Sequence, residues 1–406
     1  MKNRWFGVLV VAALAGMPVG CSHLSPDAAI EDSQRSEAMP GRDGGAQSRG
    51  KPGPVPRAIQ SVKDRFAPDS HLAVFTIGIQ RQSHGLVLTG EVSDASAKVE
   101  TVRAVERTGV KVLDRITVLP GEELGDEVWG IACLSVASGR EKPDHKAEMG
   151  TQVLMGHSVR VWKGTTHWFL VQSADGYLTW LEKGSFVRYA MEQLDAWARG
   201  PLLIVTAFED RVMDQPQTDA EEVSDVVMGN LVTKTGEEGD WFKIRLPDQR
   251  TGFLQKKSAE DYGAWKQSRQ PTPQNIERTA RLFLGRPYLW GGNSPKGLDC
   301  SGFTKLVFSL NGIELSRNAS EQARQGMEMP VDADFGQLKK GDLLCFGSRA
   351  RRNRPEWISH VGIYLGGKLF IQSSQRVRIS SLDPNSPIYD ERHGRMRIYA
   401  RRVLKD

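Results

Sequence analysis

The stretch YLWGGNSPKGLDCSGFTKLVF, Tyr288 to Phe308, sets one cysteine between a glycine-rich turn and an apolar run. Asp299, a residue type favoured at helix N-caps, precedes it. After it, Phe303, Leu306, Val307 and Leu310 fall at i, i+3, i+4 and i+7, one face of a helix, and Asn311-Gly312 supplies the stop. The pattern predicts a helix with Cys300 in its first turn. Such a cysteine can be a small buried hydrophobe, half of a disulfide, a metal ligand or a nucleophile. A structural cysteine belongs on the apolar face. The first turn instead sets the sulfur beside backbone N–H groups and the positive end of the helix dipole, which favour a thiolate. The same N–H groups can stabilise an oxyanion.

A thiolate nucleophile needs a base, and the base needs an orienting group. Sixty residues on lies SHVGIYLGGKLFIQSS, Ser359 to Ser374. Ser359 to Leu365 reads as a strand with His360 at its start, Gly366-Gly367 as a turn, and Lys368 to Ser373 as the returning strand. That pairing brings Gln372 near His360, where its amide can accept the imidazole N–H. Cys300, His360 and Gln372 form a Cys-His-polar arrangement.

The chain has 406 residues, 39% of them hydrophobic and 25% charged, which indicates two to four globular domains. A net charge of +5 suits an anionic surface such as a bacterial envelope and is too weak and dispersed for a nucleic-acid partner. The densest basic run, RARRNRPE at Arg349 to Glu356, reads as a solvated loop. Of the four cysteines, Cys133, Cys300 and Cys345 remain besides Cys21 near the N-terminus, an odd and scattered set that argues against an extracellular disulfide framework, and none has a CxxC or Cys/His zinc spacing. No metal and no cofactor is expected. Cys133 and Cys345 lie in apolar strand patterns and read as buried thiols. His71, His84, His145, His157, His167 and His393 show no constellation.

Residues 1–21 carry Lys2 and Arg4, an apolar stretch from Trp5 to Ala15 and then small residues, the pattern of a secretory signal. PVG before Cys21 resembles a lipoprotein processing site, with Pro18 where such sites usually have leucine. The expectation is an exported protein of the periplasm or envelope, with a lipid on Cys21 as its only membrane contact. Residues 22–58, rich in Gly, Pro, Ser and charge, read as a flexible tether. Alternation from His71 to Val92 and helical spacing over Ser96 to Gly109 indicate a small α+β unit over 59–124. Two segments then look alike: QVLMGHSVRVWKGTTHWFLVQSADGYLTWLEKGSF (Gln152 to Phe186) and DVVMGNLVTKTGEEGDWFKIRLPDQRTGFLQKKS (Asp225 to Ser258). Each runs apolar pair, Met-Gly, strand, turn, Trp-Phe strand, turn, Gly-aromatic strand. The spacing indicates small β-barrels and resembles bacterial SH3-type domains, over 125–198 and 199–265. A proline-marked linker precedes a last domain over 272–406.

DCSGFT, GDLLCF, SHVGIYLG and NASEQARQG, in varying positions of that last domain, resemble the NlpC-type papain-like cysteine peptidases of bacterial cell walls. With two SH3-like segments ahead of it, the architecture resembles the γ-D-glutamyl-L-diamino acid endopeptidases. The resemblance implies a multidomain α+β protein whose papain-like domain hydrolyses the bond between D-glutamate and the diamino acid of peptidoglycan stem peptides, through a thioester. Many relatives have His where this chain has Gln372. The resemblance further implies a cleft closed by the first SH3-like domain and selective for a free N-terminal L-alanine. Asp299 and Tyr177 would meet the alanine ammonium with Glu148 as a second carboxylate, Trp290 would form a wall, and Ser301 would contact the D-glutamate carboxylate. Two other classes fit the same residues: a non-catalytic wall-binding protein, and a thioester-forming acyltransferase.

Overall fold

The computed structural model describes residues 53–348 and 357–405. The signal reading at 1–21, Cys21 and its lipid, most of the tether, and the basic run at 349–356 lie outside the described residues. The end of the tether stretch is not a tether: a helix, Pro54–Phe66, begins inside it. Proline near the helix start gives up no hydrogen bond there. Val62 is buried, and Val55, Ile59 and Phe66 pack on the N-terminal core. That core belongs to a three-stranded sheet. Phe75–Gln82 and Gly85–Val92 pair antiparallel, and Val112–Val118 joins Gly85–Val92 in parallel. The crossover is the helix Ala95–Glu106, capped by the Asp94 side chain accepting from the Ser96 amide.

Two seven-stranded sheets follow. The first holds Trp129–Ala132, Val136–Arg140, Met149–Leu154, Ser158–Gly164, Trp168–Ser173, Leu178–Glu182 and Phe186–Tyr189. The second holds Leu202–Val205, Glu209–Met213, Glu222–Val227, Leu231–Glu238, Trp241–Arg245, Thr251–Gln255 and Ala259–Asp261. With the strands of each sheet lettered a to g along the chain, both have the spatial order g-a-d-e-f-b-c. Strand d is interrupted at Val161/Lys163 in one and at Lys234/Gly236 in the other. The sequence repeat is therefore a repeat of topology and of irregularity. Each barrel buries its own aliphatic core, Val153, Val159, Val171 and Leu181 in the first and Leu203, Val226, Val232 and Ile244 in the second.

The repeated Met-Gly pairs are where the barrels meet. Gly156 and Gly229 hold φ of +83° and +92°, a conformation open to glycine without strain. The Leu231 amide donates to the Met155 carbonyl at 2.9 Å, and His157 Nε2 lies 2.9 Å from the Gly229 carbonyl.

The last domain is built on a six-stranded sheet in the order Met327–Met329, Arg397–Arg402, Leu343–Ser348, Trp357–Gly366, Leu369–Ser374, Arg376–Ser381. The helices Pro273–Leu282 and Cys300–Ser309 contribute Ile276, Phe303 and Val307 to a core shared with Val361, Ile363 and Ile371. Leu344, Phe346 and Phe370 fill a second core on the other face. Burial on both faces explains the near-continuous apolar runs of these strands. The hairpin turn lies one residue later than its glycine pair indicated. Gly366 pairs with Leu369, and Gly367 and Lys368 hold φ of +58° and +63°, the two positive values of a type I′ turn. Cys133 and Cys345 are buried thiols; burial pushes them up to about 11 and about 12.

Candidate active site

The helix Cys300–Ser309 starts as its capping pattern requires. Asp299 Oδ1 accepts the Gly302 amide at 2.7 Å and the Ser301 hydroxyl at 3.2 Å, and Oδ2 accepts the Gly291 amide at 3.0 Å. A β-carbon on Gly302 would meet the Gly292 carbonyl at 2.0 Å, so this glycine lets the preceding turn lie against the helix. Cys300, 8% exposed, sits in this first turn. The same helix packs on the strand Trp357–Gly366, which carries His360.

One residue the sequence reading missed dominates the electrostatics here. Arg317 is buried and clamps Asp299. Its Nη1 donates to Oδ1 at 3.1 Å, its Nη2 donates to Oδ2, and Nη1 also reaches Ser301 Oγ at 3.0 Å. Its Nε donates to Thr151 Oγ1 of the first barrel at 3.1 Å. Asp299 is thus a helix cap and a counter-ion, with both oxygens engaged, and an ammonium would have to share it with Arg317. The signal available was an arginine set between apolar Leu315 and Ala319, one residue outside the NASEQ motif.

His360 is buried, and Gln372 Oε1 lies 2.5 Å from its Nε2. Burial first, and then the nearby His393 charge, push the imidazole well below its ordinary 6.5. The register places Ile363 opposite Ile371, so Gln372 sits diagonally across from His360 on the same face. Gly362 lies between them; a β-carbon there would come within 3.3 Å of Gln372 Cβ. Gln372 Nε2 donates to Ser380 Oγ at 2.9 Å and to Asp390 Oδ2 at 2.6 Å. His393, assigned no role from sequence, stacks on His360 with ring centroids 4.1 Å apart and planes 23° from parallel. Its Nδ1 lies 2.9 Å from Asp390 Oδ2, an ion-pair distance without hydrogen-bond alignment.

The first barrel forms the neighbouring wall. The Asn293 amide donates to Gln152 Oε1 at 3.0 Å, and Gly291 (φ +73°) brings its α-carbon so near Met149 that a β-carbon would meet the Met149 carbonyl at 2.1 Å. Trp290, beside it, is half-buried rather than core. Tyr177 is buried and its hydroxyl donates to Glu141 Oε1 at 3.0 Å. Glu148, expected as the carboxylate here, is exposed. The two glutamates close the same hairpin, the Glu141 amide donating to the Glu148 carbonyl at 3.0 Å. Only Glu141 turns inward, over Gly150, where a β-carbon would meet its Oε1 at 2.1 Å. Burial pushes the Glu141 carboxyl up, but His71, Tyr177 and Arg317 outweigh it and hold it below the usual value. His71 corrects a second expectation. It stacks on Tyr177 with centroids 5.1 Å apart and sets Nε2 3.5 Å from Glu141 Oε2 and Nδ1 3.1 Å from Asp69 Oδ1.

Residues 285–397 match the NlpC/P60 family, and residues 139–186 match the bacterial dipeptidyl-peptidase Sh3 domain. The chain carries an NlpC/P60 domain. Its SH3 region is the first of the two topologically equivalent barrels. A γ-D-glutamyl-L-lysine dipeptidyl-peptidase from Bacillus cereus (strain ATCC 10987 / NRS 248) is 27% identical over 261 residues, 62% of this chain and 75% of that protein. One of the same name from Bacillus subtilis (strain 168) is 28% identical over 255 residues, 59% and 78%. The crystal structure of an NlpC/P60 family protein from Bacillus cereus ATCC 10987 superposes with a TM-score of 0.57 at 23% identity, covering 68% of this chain and 100% of that one. The region that matches the NlpC/P60 family places Cys300, His360 and Gln372 on its helix start and two adjacent strands.

Proposed function

We propose that the protein is a cysteine endopeptidase that cuts the γ-D-glutamyl–diamino acid bond of peptidoglycan stem peptides bearing a free N-terminal L-alanine. The observation that carries this is His360, held by the Gln372 amide on a strand packed against the helix that opens with Cys300. With Nε2–H donated to Gln372, Nδ1 is the nitrogen left to take the thiol proton. The sulfur then attacks the γ-glutamyl carbonyl, and the Cys300 N–H at the helix start stabilises the oxyanion. The imidazolium returns its proton to the departing amine, leaving a thioester. Water, deprotonated by His360, hydrolyses it and regenerates the thiol.

The first barrel supports the amine selectivity. Glu141 and Tyr177 offer a carboxylate and a hydroxyl at the wall beside Asp299, a set that suits an ammonium by charge-assisted hydrogen bonds. Glu141 takes the part first given to Glu148. An alanine amide-linked to a glycan has no such charge. The leader-like residues 1–21 and Cys21 support an envelope location, checked by the mass of the mature N-terminus.

The test is mass spectrometry of products from L-Ala-γ-D-Glu-L-Lys and L-Ala-γ-D-Glu-diaminopimelate, each with a free and an acetylated N-terminus. Release of the diamino acid from the free peptides, lost in Cys300→Ala, is expected. Equal cutting of acetylated peptides would remove the amine selectivity, and no cutting of either would remove the activity.

A further inference from the structure

We propose that Asp390 is a positioning residue that sets the protonation pattern of His360 by fixing which end of the Gln372 amide faces it. This rests on Cys300 and His360 acting as nucleophile and base. An amide side chain can present either its oxygen or its NH2 to an imidazole, and the two choices dictate opposite tautomers. Of the two partners of Gln372 Nε2, Ser380 cannot decide, because a hydroxyl both donates and accepts. Asp390 can. Burial would raise its carboxyl, but His393 and Gln372 outweigh that and hold it below the usual carboxylate range. It is therefore ionised and only accepts. Its Oδ2, 2.6 Å from Gln372 Nε2, forces the NH2 end away from His360 and the Oε1 end onto Nε2, 2.5 Å away. The proton then sits on Nε2, and Nδ1 is the base.

The same carboxylate serves three neighbours. Its Oδ1 caps the short helix Glu391–Gly394 by accepting the His393 amide at 3.1 Å, and Arg378 Nη2 lies 3.4 Å from Oδ2. Its negative charge also acts on His360 and favours the imidazolium that forms when the thiol is deprotonated. The charged or titratable groups that bear on His360 and Asp390 are His393 and Arg392 from Glu391–Gly394 and Arg378 from the edge strand. Phe346, from the central strand, is the apolar ring against both imidazoles.

Asp390→Asn tests this because it is isosteric and asparagine caps helices as well as aspartate does. With Oδ1 kept on the cap, Nδ2 would face Gln372 Nε2, and the amide must turn its oxygen away from His360. Alkylation of Cys300 by iodoacetamide, followed by peptide mass spectrometry across pH, reads the thiolate without any substrate. The expected result is an upward shift of the alkylation midpoint by about one pH unit. The kcat on L-Ala-γ-D-Glu-L-Lys should fall by about a hundredfold or more with little change in KM, as when a triad histidine loses its orienting acceptor. The pair Asp390→Asn with Gln372→Glu restores an acceptor toward both His360 and residue 390. It should recover about tenfold or more of the lost kcat and return the midpoint. An unmoved midpoint in folded Asp390→Asn, or no recovery in the folded double variant, overturns the proposal. Normal alkylation in the parent protein without peptide turnover would instead count against the peptidase reading, while the alkylation series would still decide the role of Asp390.

Discussion

Cys300 is governed by a buried ion pair two side chains deep. Asp299 caps its helix, and Arg317 neutralises Asp299 while reaching Thr151 across the domain boundary. Removing one member of a buried pair leaves the other charge uncompensated, which typically costs about 3–5 kcal/mol, whereas replacing both is often nearly neutral. Arg317→Met is therefore expected to lower the urea stability of the NlpC/P60 domain by that amount. Asp299→Asn together with Arg317→Met should recover most of it. A single substitution that costs less than about 1 kcal/mol would show the pair to be solvated. The position of Cys300 was legible from its own neighbourhood, because N-cap, apolar periodicity and Asn-Gly stop all lie within fourteen residues of chain. Arg317 was not, since a lone arginine carries no local pattern and its partners come from another element and another domain.

Elements that hydrogen-bond along the chain were the readable ones. The His360–Gln372 hairpin could be drawn from alternation and a turn, and only the turn slipped by a residue. Glu141 and Glu148 could not be told apart, because both end the same hairpin and only the packing over Gly150 decides which one points in. Asp390 and His393 lie at the cap and within a four-residue helix after the edge strand, too short to show periodicity, so their arrival at His360 is purely tertiary. The Met-Gly repeat was visible as a pattern, but its use was not: Gly156 and Gly229 are the facing turns of the two barrels. A β-carbon on Gly156 would meet the backbone oxygen of Leu231 at 2.3 Å, whereas one on Gly229 would meet only the Leu154 side-chain end at 3.0 Å. Both substitutions to alanine carry the left-handed backbone cost of about 1–2 kcal/mol. Gly156→Ala should add overpacking of about 1–3 kcal/mol, because backbone cannot move aside as a leucine methyl can. Thermal unfolding of the two variants should rank Gly156→Ala well below Gly229→Ala, and equal losses would mean the barrels can separate slightly without penalty.

At the scale of the molecule, polar contacts join the modules alongside apolar packing, such as that of Met228 and Phe208 of the second barrel on the core of the NlpC/P60 domain. Lys296 of the NlpC/P60 domain reaches Ser135 of the first barrel at 3.1 Å and pairs with Asp225 of the second. The N-terminal unit docks through its 69–72 segment, where the Leu178 amide donates to the His71 carbonyl at 2.7 Å and Gln172 Nε2 to the Leu72 carbonyl at 2.8 Å. These joints respond to pH in opposite senses. His157, between the barrels, and His360 are pushed below 6.5 by burial. The unfolded chain takes up protons there that the folded chain resists, so their contribution to stability is lost as pH falls below about 6.5. His71 is the reverse. Asp69 first, and then Glu141, raise it from 6.5 to about 10, so the stabilisation it brings is complete below 6.5 and disappears as pH rises toward 10. Tyr177, the ring it stacks on, is pushed up by burial and stays neutral over that range. Brief digestion with subtilisin should leave the 67–74 segment intact at pH 7 and cut it at pH 10, and His71→Ala should be cut there at both. Equal protection of the unaltered protein at the two pH values would show that the other contacts, the Leu178 and Gln172 hydrogen bonds and the Lys163–Glu91 ion pair among them, hold the N-terminal unit to the barrel wall with no contribution from the imidazolium.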